Sequence, residues 1–421
     1  MEKYDLIVVG GGFAGFGAAV AAAREGAKTL LIERTNCLGG AASGNLVLPF
    51  MPYLTKIPRP DGTVVSKRLS RGIFEEVVNE LEVLGKIQGR QYFHDEYLKL
   101  VLNRMAIKSG VELLFGVTVT DIKRHGDRIT SLTAYGKGKK LEFSADYFID
   151  ATGDANILAA AGFPFRLGRE EDGLCQPMTL CFRMIGVDIE KYTEEKPHIN
   201  ELYIKLKEEG KIRNPRENVL IFKTLMPGTL HFNTTRVVKL DPTDPKDVTK
   251  AEIEAREQVF EMVDFLKANF EAFKNAELMN TAIEIGARES RMADGEYVLT
   301  GDELKACCRF DDSIACGNYD IDIHNPAGSG TSHYYFPAGE YYQIPYRSLI
   351  PKNAENLLVA GRCISVDHYA QASVRIMPIV CCLGEAAGTA AAIAVKSRCF
   401  VKDVDIGALQ TTLRKNGAAI D

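Results

Sequence analysis

Long runs of basic residues are missing from this sequence of 421 residues. Its 51 lysines and arginines are outnumbered by 56 aspartates and glutamates, so the formal net charge is −5. A nucleic-acid-binding surface normally carries excess positive charge, and nucleic acid is therefore not an expected partner. Internal repeats and low-complexity tracts are also missing, and a hydrophobic share of 46% is typical of a globular chain. The length predicts two domains.

A secretory signal peptide is another missing feature. Residues 6–23 are apolar enough to be mistaken for a signal or membrane segment, but Asp5 precedes them, Arg24 and Glu25 follow them, and five of them are glycine. We therefore expect a strand, a turn and a helix in this stretch, and no membrane segment. The expected location is the cytoplasm, where the ten cysteines would be reduced thiols.

Metal-binding patterns are absent as well. Cys307, Cys308 and Cys316 with His324 lack the C-x-x-C and H-x-x-x-H spacings of metal sites, so no metal site is predicted. Cys37 has no second cysteine at short spacing, which argues against a redox-active dithiol.

The N-terminal region is typical of a β-α-β unit that binds a dinucleotide. Residues 5–9 and 28–33 are strand-like and flank an alanine-rich helix, which predicts an α/β fold with a doubly wound parallel sheet. Residues 10–15, GGGFAG, have the G-x-G-x-x-G spacing that lets backbone approach a pyrophosphate at a helix N-terminus. Glu33 lies about 20 residues further on, where a carboxylate can accept hydrogen bonds from ribose hydroxyls.

Two later apolar strands also end in glycine. Residues 148–150 lead into the sequence ATGD at 151–154, and residues 356–360 lead into Gly361. In an open α/β sheet the ends of such strands face the ligand crevice. These two strand ends, together with a small-residue helix after Pro378, favour a cofactor that crosses the sheet and is longer than NAD.

The middle of the chain has a different pattern. Apolar alternation at 179–187 and 219–240 predicts antiparallel strands. A helix is predicted over 246–273, with one apolar stripe formed by Ile253, Val259, Phe260, Val263, Leu266, Phe270 and Phe273. We therefore expect an inserted α+β substrate domain, rich in antiparallel sheet, at 166–340, between two parts of the cofactor-binding domain at 1–165 and 341–421.

Several stretches together resemble the FAD-dependent oxidoreductase family, which has the glutathione-reductase-type FAD-binding fold. The stretches that carry the resemblance are VVGGGFAG, IER, LGGAA, DATGDA, NLLVAGRCIS, SVRIMP and LGEAAGTAAA. The segment DHYAQASVR is distantly similar to succinate dehydrogenase and fumarate reductase flavoproteins. The glycine pattern that follows the arginine in those proteins is missing here, so a dicarboxylate substrate is not implied.

The resemblance implies noncovalently bound FAD. The helix after Pro378 would point its positive end at the flavin, where it would stabilise the anionic reduced form. The residues implied to contact the cofactor are Gly10, Gly12, Phe13, Ala14 and Gly15 at the pyrophosphate, Glu33, Arg34 and Val119 at the adenosine, Gly39, Gly40, Ala41, Ala42, Ile376 and Met377 near the flavin, and Ala151, Thr152, Gly153, Asp154, Gly361 and Arg362 at the later strand ends.

His368 and Arg375 are the candidate catalytic residues. A histidine can transfer a proton near neutral pH, and an arginine can hold a carboxylate or the flavin carbonyl. A structural or flavin-contacting role for His368 remains open. The candidate substrate-binding residues, for which salt bridges and core packing are the alternative roles, are Arg288, Glu289, Arg291 and Tyr342.

The predicted function is therefore an FAD-dependent oxidoreductase that transfers hydride between the flavin and a small organic substrate. Its electron donor or acceptor is not identified, and an oligomer is compatible with the sequence. An NAD-dependent dehydrogenase and a flavoprotein without net redox turnover remain as alternatives. A flavoprotein partner of a nucleic-acid-modifying assembly is disfavoured by the acidic charge balance.

Overall fold

A computed structural model describes residues 2–421 of the chain. Within these residues the helices are α1 (Phe13–Arg24), α2 (Ile73–Val83), α3 (Asp95–Lys108), α4 (Asn156–Ala160), α5 (Ile189–Glu208), α6 (Pro245–Asn269), α7 (Gly301–Lys305), α8 (His368–Val374), α9 (Met377–Ser397) and α10 (Ile406–Lys415). The strands are β1 (Glu2–Val9), β2 (Thr29–Glu33), β3 (Leu54–Pro58), β4 (Val64–Arg68), β5 (Ile87–Gln88), β6 (Tyr92–Phe93), β7 (Glu112–Phe115), β8 (Thr118–His125), β9 (Arg128–Gly136), β10 (Lys139–Asp150), β11 (Phe165–Leu167), β12 (Phe182–Ile185), β13 (Ile221–Lys223), β14 (Leu230–Phe232), β15 (Glu277–Thr281), β16 (Arg291–Ala293), β17 (Ser313–Gly317), β18 (Ile321–His324), β19 (Thr331–Tyr334), β20 (Tyr342–Pro345) and β21 (Leu357–Val359).

The central sheet is mainly parallel. Its order is β7-β2-β1-β10-β9-β8, and β21 also pairs with β10. The first half of β10 pairs antiparallel with β9, whereas its last residues, 148–150, pair in parallel with β21. A strand from near the C-terminus thus completes a sheet that the N-terminus begins. The prediction of an α/β fold with a parallel-dominated central sheet is confirmed.

Helices α1 and α9 cross in direct backbone contact over this sheet. A Cβ added at Gly384 would lie 1.9 Å from the carbonyl oxygen of Ala14, and one at Gly388 would lie 2.0 Å from that of Ala18. Only glycine allows this approach. Helix α9 is long and apolar enough to span a membrane, but 89% of its most apolar window is buried inside the protein, as in a core helix.

A second, antiparallel sheet has the order β13-β14-β12-β15. Its core contains apolar side chains from residues 178–285 and Leu46. The strands are shorter than the alternation at 179–187 and 219–240 predicted. Helix α6 ends four residues earlier than predicted, and the predicted stripe is wrong at two positions, since Ile253 is 64% and Phe260 52% exposed.

The sequence analysis missed helix α5, which packs against the same core through Tyr192, Ile199 and Tyr203. Its N-cap is Asp188, whose side chain accepts a hydrogen bond from the amide of Lys191 at 3.1 Å. Aspartate is a favoured residue at this position because its carboxylate satisfies an unpaired amide.

A buried ion pair joins helix α3 to the second sheet. Asp95, the first residue of α3, accepts hydrogen bonds from Nη1 of Arg183 on β12 at 3.1 Å to each carboxylate oxygen. Both side chains are almost fully buried. Removing either charge would leave the other buried without a counter-ion, so this pair favours the observed contact between α3 and β12.

Candidate functional site

The glycine turn places helix α1 end-on to an open space. Gly10 has a φ of +101°, and a Cβ at Gly15 would lie 1.7 Å from the carbonyl oxygen of Gly10, so both residues must be glycine for the turn to close. Gly12 is different, because the nearest atom to a Cβ there is the Cα of Gly40 at 3.9 Å. No side chain caps the N-terminus of α1. Its first amides therefore remain available to an anion.

Two further glycine segments border the same helix end. The turn containing Gly39 pairs with Gly12 through an isolated β-bridge, and Ala41 and Ala42 follow Gly40 in a 3-10 turn. Gly361, with a φ of +104°, would place a Cβ 3.2 Å from the Cβ of Ala14. Three backbone segments without large side chains thus converge on the first turn of α1.

Glu33 lies at the end of β2 and is 7% exposed. Its carboxylate accepts hydrogen bonds from the amides of Gly11 and Thr35, both at 2.6 Å. These bonds hold the carboxylate beside the glycine turn. Each carboxylate oxygen has two lone pairs, so acceptor positions remain for a ligand hydroxyl. Arg34 extends the other way and pairs with Glu284 at 2.5 Å.

The segment that follows β10 is held by a buried carboxylate. Asp150 accepts hydrogen bonds from the amides of Thr152, Ile157 and Leu158 at 2.8 to 3.0 Å. Burial raises the pKa of this carboxyl group and these hydrogen bonds oppose that shift. Ala151 and Gly153 lie in the turn that results, and the predicted residue Val119 is partly buried on β8.

An ion pair ties two of the predicted cofactor segments together. Asp154 accepts a hydrogen bond from Nη2 of Arg362 at 2.5 Å, and Nη1 of the same arginine donates to Ser290 at 3.0 Å. Arg291 donates to the carbonyl oxygen of Asp154 and to Asn156, both at 3.1 Å. Arg291, predicted at the substrate, thus contacts the end of β10.

His368 begins α8, and its ring is oriented by Glu289. Nδ1 lies 2.8 Å from Oε1 of Glu289, whose other oxygen accepts a hydrogen bond from the amide of Gln176 at 2.8 Å. An ionised carboxylate can only accept, so Nδ1 donates this hydrogen bond and the ring orientation is set by Glu289. His368 also lines a cavity of about 210 Å³ that Arg166 and Arg169 border.

Arg375 ends α8 and directly precedes Ile376 and Met377 at the start of α9. No side chain caps α9, whose second residue is Pro378. Nη2 of Arg375 donates to the carbonyl oxygen of Asp322 at 3.2 Å and lies 3.7 Å from its carboxylate. His368 and Arg375 therefore lie at opposite ends of one short helix, about 10 Å apart along its axis.

The structure also brings the predicted residues Arg288 and Arg375 together with charged residues that the sequence analysis did not assign to the site. We call this group the arginine cluster. It lies where the second sheet meets β18, β19 and α8, and it consists of Arg216, Arg236, Arg288, Arg375, Glu217, Asp322 and His324. Its members span about 160 residues without a fixed spacing, so no local sequence pattern points to it.

His324 occupies the middle of the arginine cluster as a neutral ring. Nδ1 accepts hydrogen bonds from Arg236 at 3.0 Å and from Arg216 at 3.4 Å, because guanidinium groups only donate. Nε2 then carries the proton and faces Asp322 at 3.3 Å. Burial, followed by the charge of Arg288, lowers the pKa of His324 well below its usual value.

Tyr342 lies outside the cluster. It is fully buried, and its hydroxyl is 2.6 Å from the hydroxyl of Ser373. Burial raises the pKa of this phenol. These contacts are those of a core tyrosine whose hydroxyl is satisfied inside the protein.

A family model described as FAD dependent oxidoreductase matches residues 5–413. The chain belongs to this family. It is an oxidoreductase-family flavoprotein, and FAD is its cofactor. The geometry fits this cofactor, since uncapped amides, glycine backbone and an open space coincide at the start of α1, where a pyrophosphate would bind.

Individual relatives match only part of the chain. The thiamine thiazole synthase of Sulfolobus acidocaldarius is 29% identical over 171 residues, which cover 37% of this chain and 58% of that protein. The digeranylgeranylglycerophospholipid reductase of Methanocaldococcus jannaschii is 28% identical over 168 residues, which cover 38% of this chain and 41% of that protein. The chain thus spans about half the length of these curated relatives.

Among solved structures, a geranylgeranyl bacteriochlorophyll reductase-like protein from Thermoplasma acidophilum has a TM-score of 0.48 at 13% identity. That match covers 99% of this chain and 83% of the other. The flavin-dependent brominase Bmp2 has a TM-score of 0.44 at 14% identity, and the match covers 98% of this chain and 83% of the brominase.

Proposed function

We propose that this flavoprotein oxidises or reduces a small organic molecule at the junction between its two sheets, in a fold of the glutathione-reductase type. FAD supplies hydride transfer in such reactions. Three segments that meet at this junction support the location. Asn45, just after the Gly39–Ala42 turn, donates to the carbonyl oxygens of Glu284 and Ile285, and Gln371 of α8 donates to that of Arg288.

The domain organisation is part of this proposal. Residues 1–165 and 341–421 would form the FAD-binding domain, and residues 166–340 would form the inserted domain that covers the substrate. The separate core formed within residues 178–285 supports an inserted unit, whereas Met292, Leu299 and Ile314 pack in the core of the central sheet. A separate, unidentified donor or acceptor would exchange electrons with the flavin.

We assign His368 as the proton-transferring residue and Arg375 as the cationic group next to the start of α9. Glu289 holds Nδ1 of His368, so that Nε2 is free to take or return a proton. Since the two side chains lie at opposite ends of α8, they would contact different parts of the substrate. We assign Arg288 to substrate binding, Arg291 to support of the strand end at Asp154, and Tyr342 to packing.

Flavin binding is tested first with a variant of the glycine turn. A methyl at Gly12 has open space in the protein and a compatible φ of −64°, so Gly12→Ala should leave the thermal stability of the apoprotein unchanged. The same methyl would occupy the space of the pyrophosphate, and we expect at least about tenfold weaker FAD binding. Absorbance near 450 nm and titration of the apoprotein with FAD measure this. Unchanged FAD affinity in the variant would contradict the assignment of the turn.

Redox turnover is tested by anaerobic flavin bleaching with a panel of carboxylates, amines and alcohols. Wild-type protein should be reduced by at least one compound and reoxidised afterwards. His368→Ala should bleach at least about a hundredfold more slowly with FAD binding retained, and Glu289→Gln should shift the pH profile of bleaching. A wild-type protein that holds FAD but never changes redox state would instead be a flavoprotein without turnover. A colourless protein that binds NAD would support the dehydrogenase alternative.

A further inference from the structure

The arginine cluster has an excess of positive charge. Its four arginines face two carboxylates, and His324 is neutral. Glu217 is shared by Arg236, at 3.0 Å, and Arg216, at 3.9 Å. Asp322 already lies within 4 Å of Arg375 and of the ring of His324. Placing several like charges together in a poorly hydrated region costs free energy, so this arrangement calls for another anion.

Arg288 is the arginine of the cluster without a counter-ion. Within residues 2–421, no carboxylate oxygen lies within 4 Å of its guanidinium group. Its hydrogen bonds go to neutral acceptors: the carbonyl oxygen of Pro177 at 2.8 Å, the hydroxyl of Thr179 at 2.5 Å and the side-chain oxygen of Asn233 at 3.3 Å. Burial, followed by the charges of Arg216 and Arg375, lowers the pKa of Arg288 to about 9.

Arg288 is placed to meet a ligand at the flavin side of the junction. Its side chain is only partly buried. Its carbonyl oxygen accepts the 2.7 Å hydrogen bond from Gln371, and α8 continues from there to Arg375 and the uncapped start of α9. An anion on Arg288 would therefore lie between the second sheet and the helix that the flavin is expected to approach.

We propose that Arg288, with Arg216 and Arg375, binds a carboxylate of the substrate, so that the substrate of this enzyme is a small organic acid. This inference rests on the proposed function. A carboxylate offers two oxygens that can accept paired hydrogen bonds from a guanidinium fork. It would also supply the negative charge that Arg288 lacks.

The experiment uses FAD-loaded protein and ten organic acids of two to eight carbons, their methyl esters, and inorganic phosphate. Binding is measured by the flavin difference spectrum and by the rise in Tm, since a ligand that binds only the folded state stabilises it. We expect at least one acid to bind saturably and its ester to bind at least about tenfold more weakly. Binding of phosphate alone, of esters and acids equally, or of no acid would overturn the proposal.

The variants locate the site. Arg288→Met should weaken acid binding at least about tenfold, and Arg288→Lys, which keeps the charge, should restore part of it. Arg256→Met removes a surface arginine of α6 that pairs with Glu252 and should bind the acid like the wild type. Equal binding by Arg288→Met and the wild type would overturn the proposal. Should Arg288→Met fail to fold, Arg375→Gln is measured with the same expectation.

The two proposals fail in different ways. A protein that does not retain FAD contradicts the proposed function, and the Tm shift of the apoprotein then still reports whether acids bind at Arg288. A protein that retains FAD and is reduced by neutral substrates, with no effect of any acid, overturns only the inference about Arg288.

Discussion

The two sides of the junction between the sheets differ in the groups that form them. On the side of the parallel sheet, backbone amides, glycines and alanines form the surface around the start of α1, and Gly12, Gly40 and Gly361 keep it free of side chains. On the side of the antiparallel sheet, charged side chains replace glycine: Arg288 is partly exposed, and Arg236 of the same cluster is fully buried. Backbone contacts suit a cofactor that is the same in every enzyme of a family. Side chains can differ between family members, so they suit the recognition of different substrates.

The difference has an energetic side. The glycine contacts between α1 and α9 tolerate no added atom, so mutations of Gly384 and Gly388 should fail by steric overlap. The charged contacts depend on balance, so mutations there should act through unpaired charge and should be rescued by removing the partner. The four predictions below test this contrast, and each states what would remove it.

The largest effect is expected where α1 crosses α9. Alanine at both Gly384 and Gly388 would place methyl groups about 2 Å from the carbonyl oxygens of Ala14 and Ala18. We expect the double variant to lose about 4 to 6 kcal/mol of unfolding free energy, because each overpacked site costs about 1 to 3 kcal/mol or more. Urea denaturation followed by circular dichroism measures this. The exposed helical control Gly407→Ala should change stability by less than about 1 kcal/mol, and an equally small loss in the double variant would remove the contrast.

The next effect is expected at the buried pair between α3 and β12. Arg183→Met leaves the Asp95 carboxylate buried without a partner and should cost about 3 to 4 kcal/mol of unfolding free energy. The double variant Asp95→Asn with Arg183→Met should recover at least half of that loss. Both values come from denaturation of the FAD-loaded protein. If the double variant is as unstable as Arg183→Met, the loss comes from packing and charge balance does not explain it.

A smaller effect concerns pH and a carboxyl group on the otherwise apolar helix α9. Glu385 is buried, and its Oε2 accepts a hydrogen bond from the amide of Ile73 at 3.0 Å. Burial raises the pKa of Glu385 from the usual 4.5 to about 8. The folded protein therefore holds this proton between about pH 4.5 and 8 while the unfolded chain releases it, so the stability contributed at low pH is lost as the pH rises through this window.

We expect Glu385→Gln to remove this part of the pH dependence. Glutamine keeps an acceptor for the amide of Ile73 and carries no charge. The variant should be more stable than the wild type at pH 8 by on the order of 2 kcal/mol, and the difference should shrink towards pH 5. Chemical denaturation at pH 5, 6.5 and 8 measures this. A constant difference at all three pH values would exclude Glu385 as the source.

The smallest effect is expected at the exposed pair between Arg34 and Glu284. These side chains are 58% and 31% exposed, and solvent screens such a pair strongly. A double-mutant cycle with Arg34→Gln and Glu284→Gln should give a coupling below about 1 kcal/mol that falls with added salt. A coupling several times larger would mean that this pair, like that of Asp95, contributes substantially to stability.

The contrast also explains which parts the sequence could predict. The bounds of β1 and β2 lie within a few residues of those predicted, because apolar periodicity and glycine positions are local signals. The cofactor segments are recognisable for the same reason, since a glycine turn is contiguous in sequence. The assignment of the individual residues in them to FAD contacts stays a prediction.

Helix α5 and the arginine cluster could not be found in this way. Helix α5 contains an internal proline, Pro197, and few apolar side chains, so its sequence resembles a loop. The predicted apolar stripe on α6 includes two residues that face solvent although they are apolar, Ile253 and Phe260. Arg288 was predicted as a substrate residue, but its neighbours Arg216 and Arg236 come from segments whose contact depends on the tertiary fold alone.

The pairing of β10 with β21 has a consequence for synthesis of the protein. The N-terminal strands leave the ribosome first, but the strand that closes the sheet and the helix that covers α1 are made only after more than 350 residues. Until then the apolar face of α1 and one edge of β10 have no partner, and chains in that state are prone to aggregate. We therefore expect FAD to bind only after β21 and α9 have been synthesised. A chain that is truncated before β21 should retain no flavin.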